Sequence, residues 1–540
     1  MTLLDRLLHP LATRGRRSLR RVSPERIKAG ARAGRRSQVE QAGEKLVVAV
    51  LFGVASVALI GMGAGLEASA WVGLGALVMV SEGFFIAYAV EHRHGAFSSL
   101  SKVGALAVFM TLPLVALHLM RGLAGVEAVV WLPMALFALP MALVWGRAFA
   151  LECTLYAGGL LGLAVLLRPG SGGAEGIAIC MAGALVACLS AGGLRRRSSL
   201  VRVGLSIGLV QVLVACAFLL LSVGETDAVG GWRAFVLLGL GGLAVGLVTS
   251  GILPAVEALF GVTTDISLLE LGNTHEQPLL RKLLLEAPGT FHHSYIVGLI
   301  SEAAAEAVGG NALLARVGAL YHDVGKLNKP GYFAENSPEA RGRHKDLTPE
   351  MSMLVISAHT RDGIEIGAYY GLPPQVLAFM EEHHGTCCIE YFYHRARDLR
   401  GEDKVSEEDF RYPGRKPQSV EPAIVMIADA VEAISRQMPD PTPVRLSEMV
   451  HEVAMKRLMD GQFDECGMTL KDLSAIETAT VRVLSGIYHT RPTFPKGRPH
   501  PLDMSQPKRD RASGDGDGLG AGGAGGELGP ASAHRRPSAS

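Results

Sequence analysis

Apolar residues are distributed unevenly along the chain. Eight runs, Leu46–Ala64, Trp71–Val90, Val103–Met120, Ala128–Val144, Ala148–Leu167, Ile177–Ala191, Val203–Val223 and Ala234–Phe260, carry nearly all of the excess. Most approach the roughly 17–25 residues that a helix needs to cross a hydrocarbon core about 30 Å thick, and the sixth is the shortest. Helices buried in a soluble domain would turn polar faces toward water, and this stretch offers none. A secretory signal peptide is excluded too, because the first run starts only at Leu46 and is followed by more of the same. The pattern predicts a polytopic membrane domain of about eight helices over residues 46–260.

Beyond Phe260 the pattern changes to amphipathic segments with a period near 3.6. Leu299–Val308, Ala312–Tyr321, Met351–Ala358, Pro374–Glu382, Val420–Ser435, Leu446–Leu458 and Leu470–Tyr488 are the candidate helices, separated by Gly, Pro and charged turns. No run alternates with period two over a useful length, so the fold class is all-alpha throughout, with a helical cytoplasmic domain over 261–490. Residues 491–540 are rich in Pro, Gly and Ser, with Gly522–Gly523–Ala524–Gly525–Gly526 at their centre. Such a tail cannot bury enough apolar surface to fold.

Charge orients the spans. Residues 1–45 form a basic arm with ten Arg, two Lys and four acids, and the loops after the second, fourth and sixth runs hold Arg93 and Lys102, then Arg147, then Arg195, Arg196, Arg197 and Arg202. The other loops are poorer in basic residues or more acidic: Glu67; Arg121 with Glu127; Arg168 with Glu175; Glu225, Asp227 and Arg233. The positive-inside bias puts both termini in the cytoplasm with an even number of spans. The basic arm is also suited to anionic lipid headgroups. Glu82 and Glu152 fall inside or near the edge of apolar runs, where a charge is costly and functional by default. Seven scattered cysteines form no C-x-x-C pair, which fits a reduced cytosolic domain.

Seven of the 17 histidines lie between His292 and His384. They occur as His292–His293–Ser294, His322–Asp323 within Leu320–Lys326, His344, His359, and His383–His384–Gly385–Thr386, and Asp429 follows within Ile427–Glu432. Each pair or single residue except His344 sits in or at the end of a candidate helix beside small or apolar neighbours, so separate helices can deliver imidazoles and carboxylates to one point. A carboxylate bridging two divalent cations, with imidazoles filling their remaining positions, is an arrangement that activates water against a phosphodiester. Mixed His and carboxylate ligation suits Mn, Fe, Co or Zn better than Mg. His344, His394, His451 and His489 are assigned no metal position.

The segments Glu286-Ala-Pro-Gly-Thr-Phe-His-His-Ser294 and Ala315-Arg-Val-Gly-Ala-Leu-Tyr-His-Asp-Val-Gly-Lys326 resemble the seven-transmembrane receptor family with an intracellular HD hydrolase domain. The likeness continues through Glu335–Asn336, Ile356–His359, Glu382–Thr386, Phe410–Gly414 and Pro417–Gln418, reaches back to Gly261–Asp265, and covers about residues 70–490. It implies a bacterial inner-membrane protein that hydrolyses cyclic di-AMP to linear pApA with two divalent metal ions, Mn or Fe. Carried over by motif, His293, His322, Asp323 and Asp429 would hold one ion, and Asp323, His359, His383 and His384 the other. Asp323 would bridge, and Lys326, one turn on, would reach a phosphate oxygen or fix the helix end as a salt bridge.

The expected partners are a cyclic dinucleotide and membrane lipid. A homodimer is compatible with this reading, and a nucleic-acid polymer is not expected. Two departures stand out: only Gly65–Ala70 separate the first two spans, where family members often carry a large extracytoplasmic domain, and Ile389–Gln418 is rich in charge. The rival readings are a cyclic di-GMP hydrolase, whose Gly-Tyr-Pro signature does not follow His383–His384, and a non-catalytic receptor, which would be free to lose ligands that are all present here.

Overall fold

The computed structural model describes residues 24–92, 100–121, 133–167, 173–221 and 232–488, with nearly all side chains from Gly43 onward. The start of the basic arm, the loop positions Arg93, Glu127, Arg168, Glu225 and Asp227, and the tail from 491 lie outside the described residues.

All eight apolar runs are helical: α1 (Pro24–Gly61), α2 (Ala68–His92), α3 (Leu100–Arg121), α4 (Pro133–Trp145), α5 (Arg147–Leu166), α6 (Gly173–Ser190), α7 (Arg197–Leu221) and α8 (Trp232–Phe260). The first begins at Pro24, well upstream of its apolar part at Gly43–Gly61. Among the described residues, six of the eight are long and apolar enough to cross a membrane, and the described apolar parts of α4 and α6, Met134–Trp145 and Glu175–Ser190, are shorter. At 1.5 Å per residue the 13 described residues of α4 span about 20 Å. Its chain turns directly into α5 at Gly146, whose φ of 83° is a left-handed conformation that favours glycine.

The last two bundle helices are the most closely joined. Gly204 and Gly208 of α7 face Gly242 and Gly246 of α8, and a Cβ on Gly242 or Gly246 would collide with the opposite backbone. Small residues four apart on both helices let backbones meet where no hydrophobic force drives association in lipid.

Gly261, with φ 62°, ends α8 and opens the cytoplasmic domain: α9 (Asp265–Leu271), α10 (Pro278–Glu286), α11 (Pro288–Val308), α12 (Ala312–Tyr321), α13 (Ala340–Lys345), α14 (Pro349–Tyr369), α15 (Pro374–Glu382), α16 (Glu390–Arg400), α17 (Val420–Ser435), α18 (Pro443–Met459) and α19 (Leu470–Ile487). Among the described residues there is no strand, only an isolated bridge between Cys388 and Arg411. Proline at the first turn starts α10, α11, α14, α15 and α18, and Thr348, Thr442 and Thr469 cap α14, α18 and α19. The start of α11 at Pro288, and not near Leu299, corrects the pattern reading: a helix N-terminus led by Pro and Gly has no apolar periodicity to betray it.

Helix α17 runs through the middle of the domain. Ala423–Ala428, Val431, Glu432 and Ser435 are all buried, and Ile424, Ile427 and Val431 pack with Val297 and Ile300 of α11, Val450 of α18 and Ile476 of α19. Each such aliphatic side chain contributes about 1.5–3 kcal/mol on burial. The two polar residues on this central helix that matter most, Asp429 and Glu432, are one turn apart.

The junction to the bundle is pinned. Glu257 of α8 accepts from Thr264 N at 2.7 Å and Ser267 Oγ at 2.8 Å, and Arg197 at the start of α7 donates to both carboxylate oxygens of Glu270, at 2.6 and 2.9 Å. Gln375 of α15 takes a hydrogen bond from Thr263 and donates to the Gly261 carbonyl.

Candidate metal centre

Four elements converge on Asp323, which follows α12 and is 1% exposed. His293 comes from α11, His322 ends α12, His359 comes from α14, and His383 and His384 end α15. A short 3-10 turn, Val324–Asn328, carries the chain away under α14. Gly325 permits this approach, because a Cβ there would run into the His359 carbonyl.

The two oxygens of Asp323 face different imidazoles. Oδ2 lies 3.2 Å from His322 Nε2 and 3.6 Å from His293 Nε2, whereas Oδ1 lies 3.3 Å from His359 Nε2 and 3.8 Å from His383 Nε2. Asp429 closes the first group at 3.0 Å from His293 Nε2, and its other oxygen is 3.6 Å from His384 Nδ1. Two sets of side chains with the spacing to hold a cation result: His293, His322, Asp323 and Asp429, and His359, His383 and His384.

The rings are aimed by their far nitrogens. Nδ1 of His322, His359 and His383 lies 2.7, 2.6 and 2.7 Å from the carbonyls of Ala319, Ile356 and Phe379. Against a carbonyl Nδ1 can only donate, so in the neutral ring Nε2 presents a lone pair to the centre. Nε2 of His359 and Nε2 of His383 then face each other at 3.2 Å, an arrangement that needs positive charge between them. His322 Nε2 and Asp323 Oδ1 are buried with no hydrogen-bond partner among the described residues. On these grounds the residues fit divalent ions.

Electrostatics divides the site. Burial opposes ionisation of Asp323 and Asp429, yet the imidazoles, with Lys326 beside Asp323, hold both carboxyls well below the usual range. Burial also favours neutral His322, but the charges of Asp323 and Asp429 outweigh it and lift the ring to about 10. In the other half, burial followed by the charges of His322 and His359 pushes His383 down to about 3, and His359 and His384 are lowered as well, burial being the largest cause for each. One half is rich in negative charge and the other in neutral nitrogen donors.

Lys326 is held inside the site, 2.6 Å from Asp323 Oδ2 and 2.9 Å from Glu335 Oε1, above the Phe333 ring. His292 is exposed and turned away from the centre. His344 bonds the Tyr332 carbonyl at 2.9 Å, His451 meets Glu477 on the surface, and His489 lies outside the described residues.

Several partners were not singled out from sequence. Glu432 approaches His293 Nδ1 at 2.5 Å, and only its position three residues after Asp429 could have suggested it. Tyr412 stacks on His384 with centroids 4.2 Å apart. Gln462 accepts from Thr386 N and donates to Thr386 Oγ1, tying down the turn after His384, and Arg411 pairs Asp460 while donating to the Thr386 carbonyl. The charged segment thus supplies Arg411 and Tyr412 to the site's edge.

Residues 68–264 match the family model described as 7TM receptor with intracellular HD hydrolase, and residues 290–434 match the HD domain model. The two matches follow one another along the chain in the order which that description names, a helical bundle and then an HD domain. The first match contains the seven helices α2–α8, and α1 precedes them. The protein is therefore a multi-pass membrane protein with an intracellular HD domain.

Among curated proteins, the cyclic-di-AMP phosphodiesterase PgpH of Bacillus subtilis is 42% identical over 303 residues, 56% of this chain and 42% of that protein. PgpH of Listeria monocytogenes is 38% identical over 300 residues, 56% of this chain and 41% of that protein. The chain thus spans about two-fifths of the length of these relatives. A crystal structure of the Listeria monocytogenes PgpH HD domain in complex with cyclic-di-AMP is 42% identical, covering 40% of this chain and 100% of that one with a TM-score of 0.38.

Proposed function

We propose that this protein is a metal-dependent phosphodiesterase that hydrolyses cyclic di-AMP to linear pApA at the cytoplasmic face of a bacterial inner membrane. The observation that carries the reading is Asp323, whose two oxygens face two separate groups of imidazoles. The substrate assignment draws its support from the activity named for the 42% and 38% identical relatives.

His293, His322, Asp323 and Asp429 would hold one divalent ion, and Asp323, His359, His383 and His384 a second, with Mn or Fe suited to this mixed donor set. When bound, such ions supply Lewis-acid charge and an activated water for attack on phosphorus. The protein's own residues prepare the site. Main-chain carbonyls fix three rings with Nε2 inward, Glu432 fixes His293, and Lys326 balances Asp323 and Glu335. Hydrolysis adds one water across one phosphodiester, breaking the bond from phosphorus to the 3′ oxygen and leaving a 5′ phosphate.

In this reading residues 261–490 form the catalytic domain, 46–260 the membrane domain, and 1–45 the basic cytoplasmic arm, with both termini in the cytoplasm and 491–540 as a tail. Homodimers are compatible with it. The test is full-length protein in lipid nanodiscs, loaded with manganese or iron and supplied with cyclic di-AMP or cyclic di-GMP at equal concentration. Accumulation of pApA is expected. Faster cleavage of cyclic di-GMP would move the substrate assignment, and binding without product at two metals per chain would make the domain a receptor.

A further inference from the structure

Glu82 lies near the middle of α2, 3% exposed, with neither carboxylate oxygen hydrogen-bonded to any described residue. It faces α1 at Gly53, where a Cβ would strike Glu82 Oε2, so the glycine makes the recess in which the carboxylate sits. One turn along the same buried face of α1 is Ser56, fully buried, its hydroxyl also without a partner. The third wall is α5. Tyr156 stacks on Phe85, three residues from Glu82, with centroids 4.6 Å apart, and its buried hydroxyl, beside Ser81, has no close hydrogen-bond partner among the described residues.

An isolated carboxylate inside a hydrocarbon-embedded bundle is costly. A proton alone would let the acid partner at most one of the two hydroxyls, Ser56 or Tyr156, and leave the other unsatisfied. The donors gathered here are all hard oxygens, the kind that alkali and alkaline-earth cations select. A single carboxylate balances one positive charge. Tyr88 of α2 and Glu152 of α5 are joined to each other by a 3.3 Å hydrogen bond.

We propose that the recess between α1, α2 and α5 is a binding site for a small monovalent metal cation, sodium or potassium, held by Glu82 with Ser56 and Tyr156. The site is separate from the HD centre, and it gives the bundle a ligand of its own without an outer domain.

The test uses the full-length protein in zwitterionic nanodiscs, titrated with sodium, potassium or choline chloride at constant ionic strength. Thermal unfolding of the bundle and the infrared band of protonated carboxylic acid are followed. Sodium or potassium, but not choline, is expected to raise the melting temperature saturably and to remove the acid band that Glu82→Gln lacks. Ser56→Ala keeps the carboxylate and should raise the half-saturating concentration about tenfold, as expected for one lost ligand to a charged group. Comparison of the two alkali arms identifies the ion. A Glu82 band that persists at saturating alkali salt means that a proton alone occupies the site and overturns the proposal. An unchanged alkali response in Ser56→Ala and Glu82→Gln together overturns it equally.

Discussion

In the HD domain the buried ionisable groups partner one another: Asp323 meets four imidazoles and Lys326, Asp429 meets His293 and His384, and Glu335 meets Lys326. In the membrane bundle Glu82, Ser56, Gln211 and Thr249 are as deeply buried, yet their side-chain polar atoms have no hydrogen-bond partners among the described residues. The contrast follows from what surrounds each set. A water-soluble domain can close an apolar shell around a polar centre, because folding energy from helices such as α17 holds the charges together. A bundle in lipid is held by close packing, as at Gly204, Gly208, Gly242 and Gly246, and these four polar groups stand there as individual costs.

The sharpest way to break the polar centre is Asp323→Ala. It removes the carboxylate whose two oxygens face four imidazoles drawn from both groups, so turnover should fall below detection and metal content should drop from near two per chain. Elemental analysis with a cyclic di-AMP assay checks this, and an unchanged metal ratio would refute the bridging role. His344→Ala, at a side chain bonded to the Tyr332 carbonyl, should keep both. The matching break in the bundle is Gly246→Leu. Its side chain would have to displace the backbone of Leu200 and Gly204, and overpacking of this kind costs about 1–3 kcal/mol or more. Loss of the bundle's cooperative unfolding in nanodiscs, with retained metal binding by the HD domain, is the expected outcome.

The same contrast explains what could be read in advance. All eight apolar runs were legible because their signal is long and continuous, and Gly146 marks where α4 gives way to α5. The eight proposed site residues were legible as motifs, and the structure brings them together. Glu432 was not, because nothing in Ala430–Val431–Glu432 distinguishes a carboxylate that aims a histidine from one on a solvated face. The early start of α11 and the helices α9, α13 and α16 were also missed: each is short or strongly charged, and tertiary packing rather than periodicity defines it. Glu82 stood out against its apolar neighbours, but its setting against Gly53 and Ser56 appears only when α1 and α2 pack.

A smaller effect tests how the centre is aimed. Glu432→Ala leaves the four-residue metal set intact and removes the carboxylate 2.5 Å from His293 Nδ1. Partners of this kind are worth about 10–100-fold in metal affinity or activity. Metal titration should show that loss confined to one of two ions and recovered by excess metal, whereas Glu432→Gln, which can still accept from Nδ1, should recover part of it. Equal weakening of both ions would mean that Glu432 supports α17 as a whole.

The smallest effect lies where the two regions meet. Arg197 and Glu270 are 35% and 43% exposed, so this ion pair contributes about 1 kcal/mol or less despite its two short hydrogen bonds. The hydrogen bonds from Arg197 hold the Glu270 carboxyl below its ordinary value of 4.5. A lowered folded value means that the contribution is complete above the unfolded value and is lost as the pH falls through the folded one, in the acid range. Arg197→Ala should therefore speed hydrogen exchange of the α9 amides by no more than about fivefold at neutral pH. It should abolish the acid-dependent part of that protection, and the exchanged pair Arg197→Glu with Glu270→Arg should restore most of it. Because Glu257 and Gln375 hold the same junction through Thr264, Ser267 and Gly261, α9 should stay docked and metal content unchanged. Exchange that rises to the level of an unstructured segment would instead make this single exposed pair the sole tie between bundle and centre.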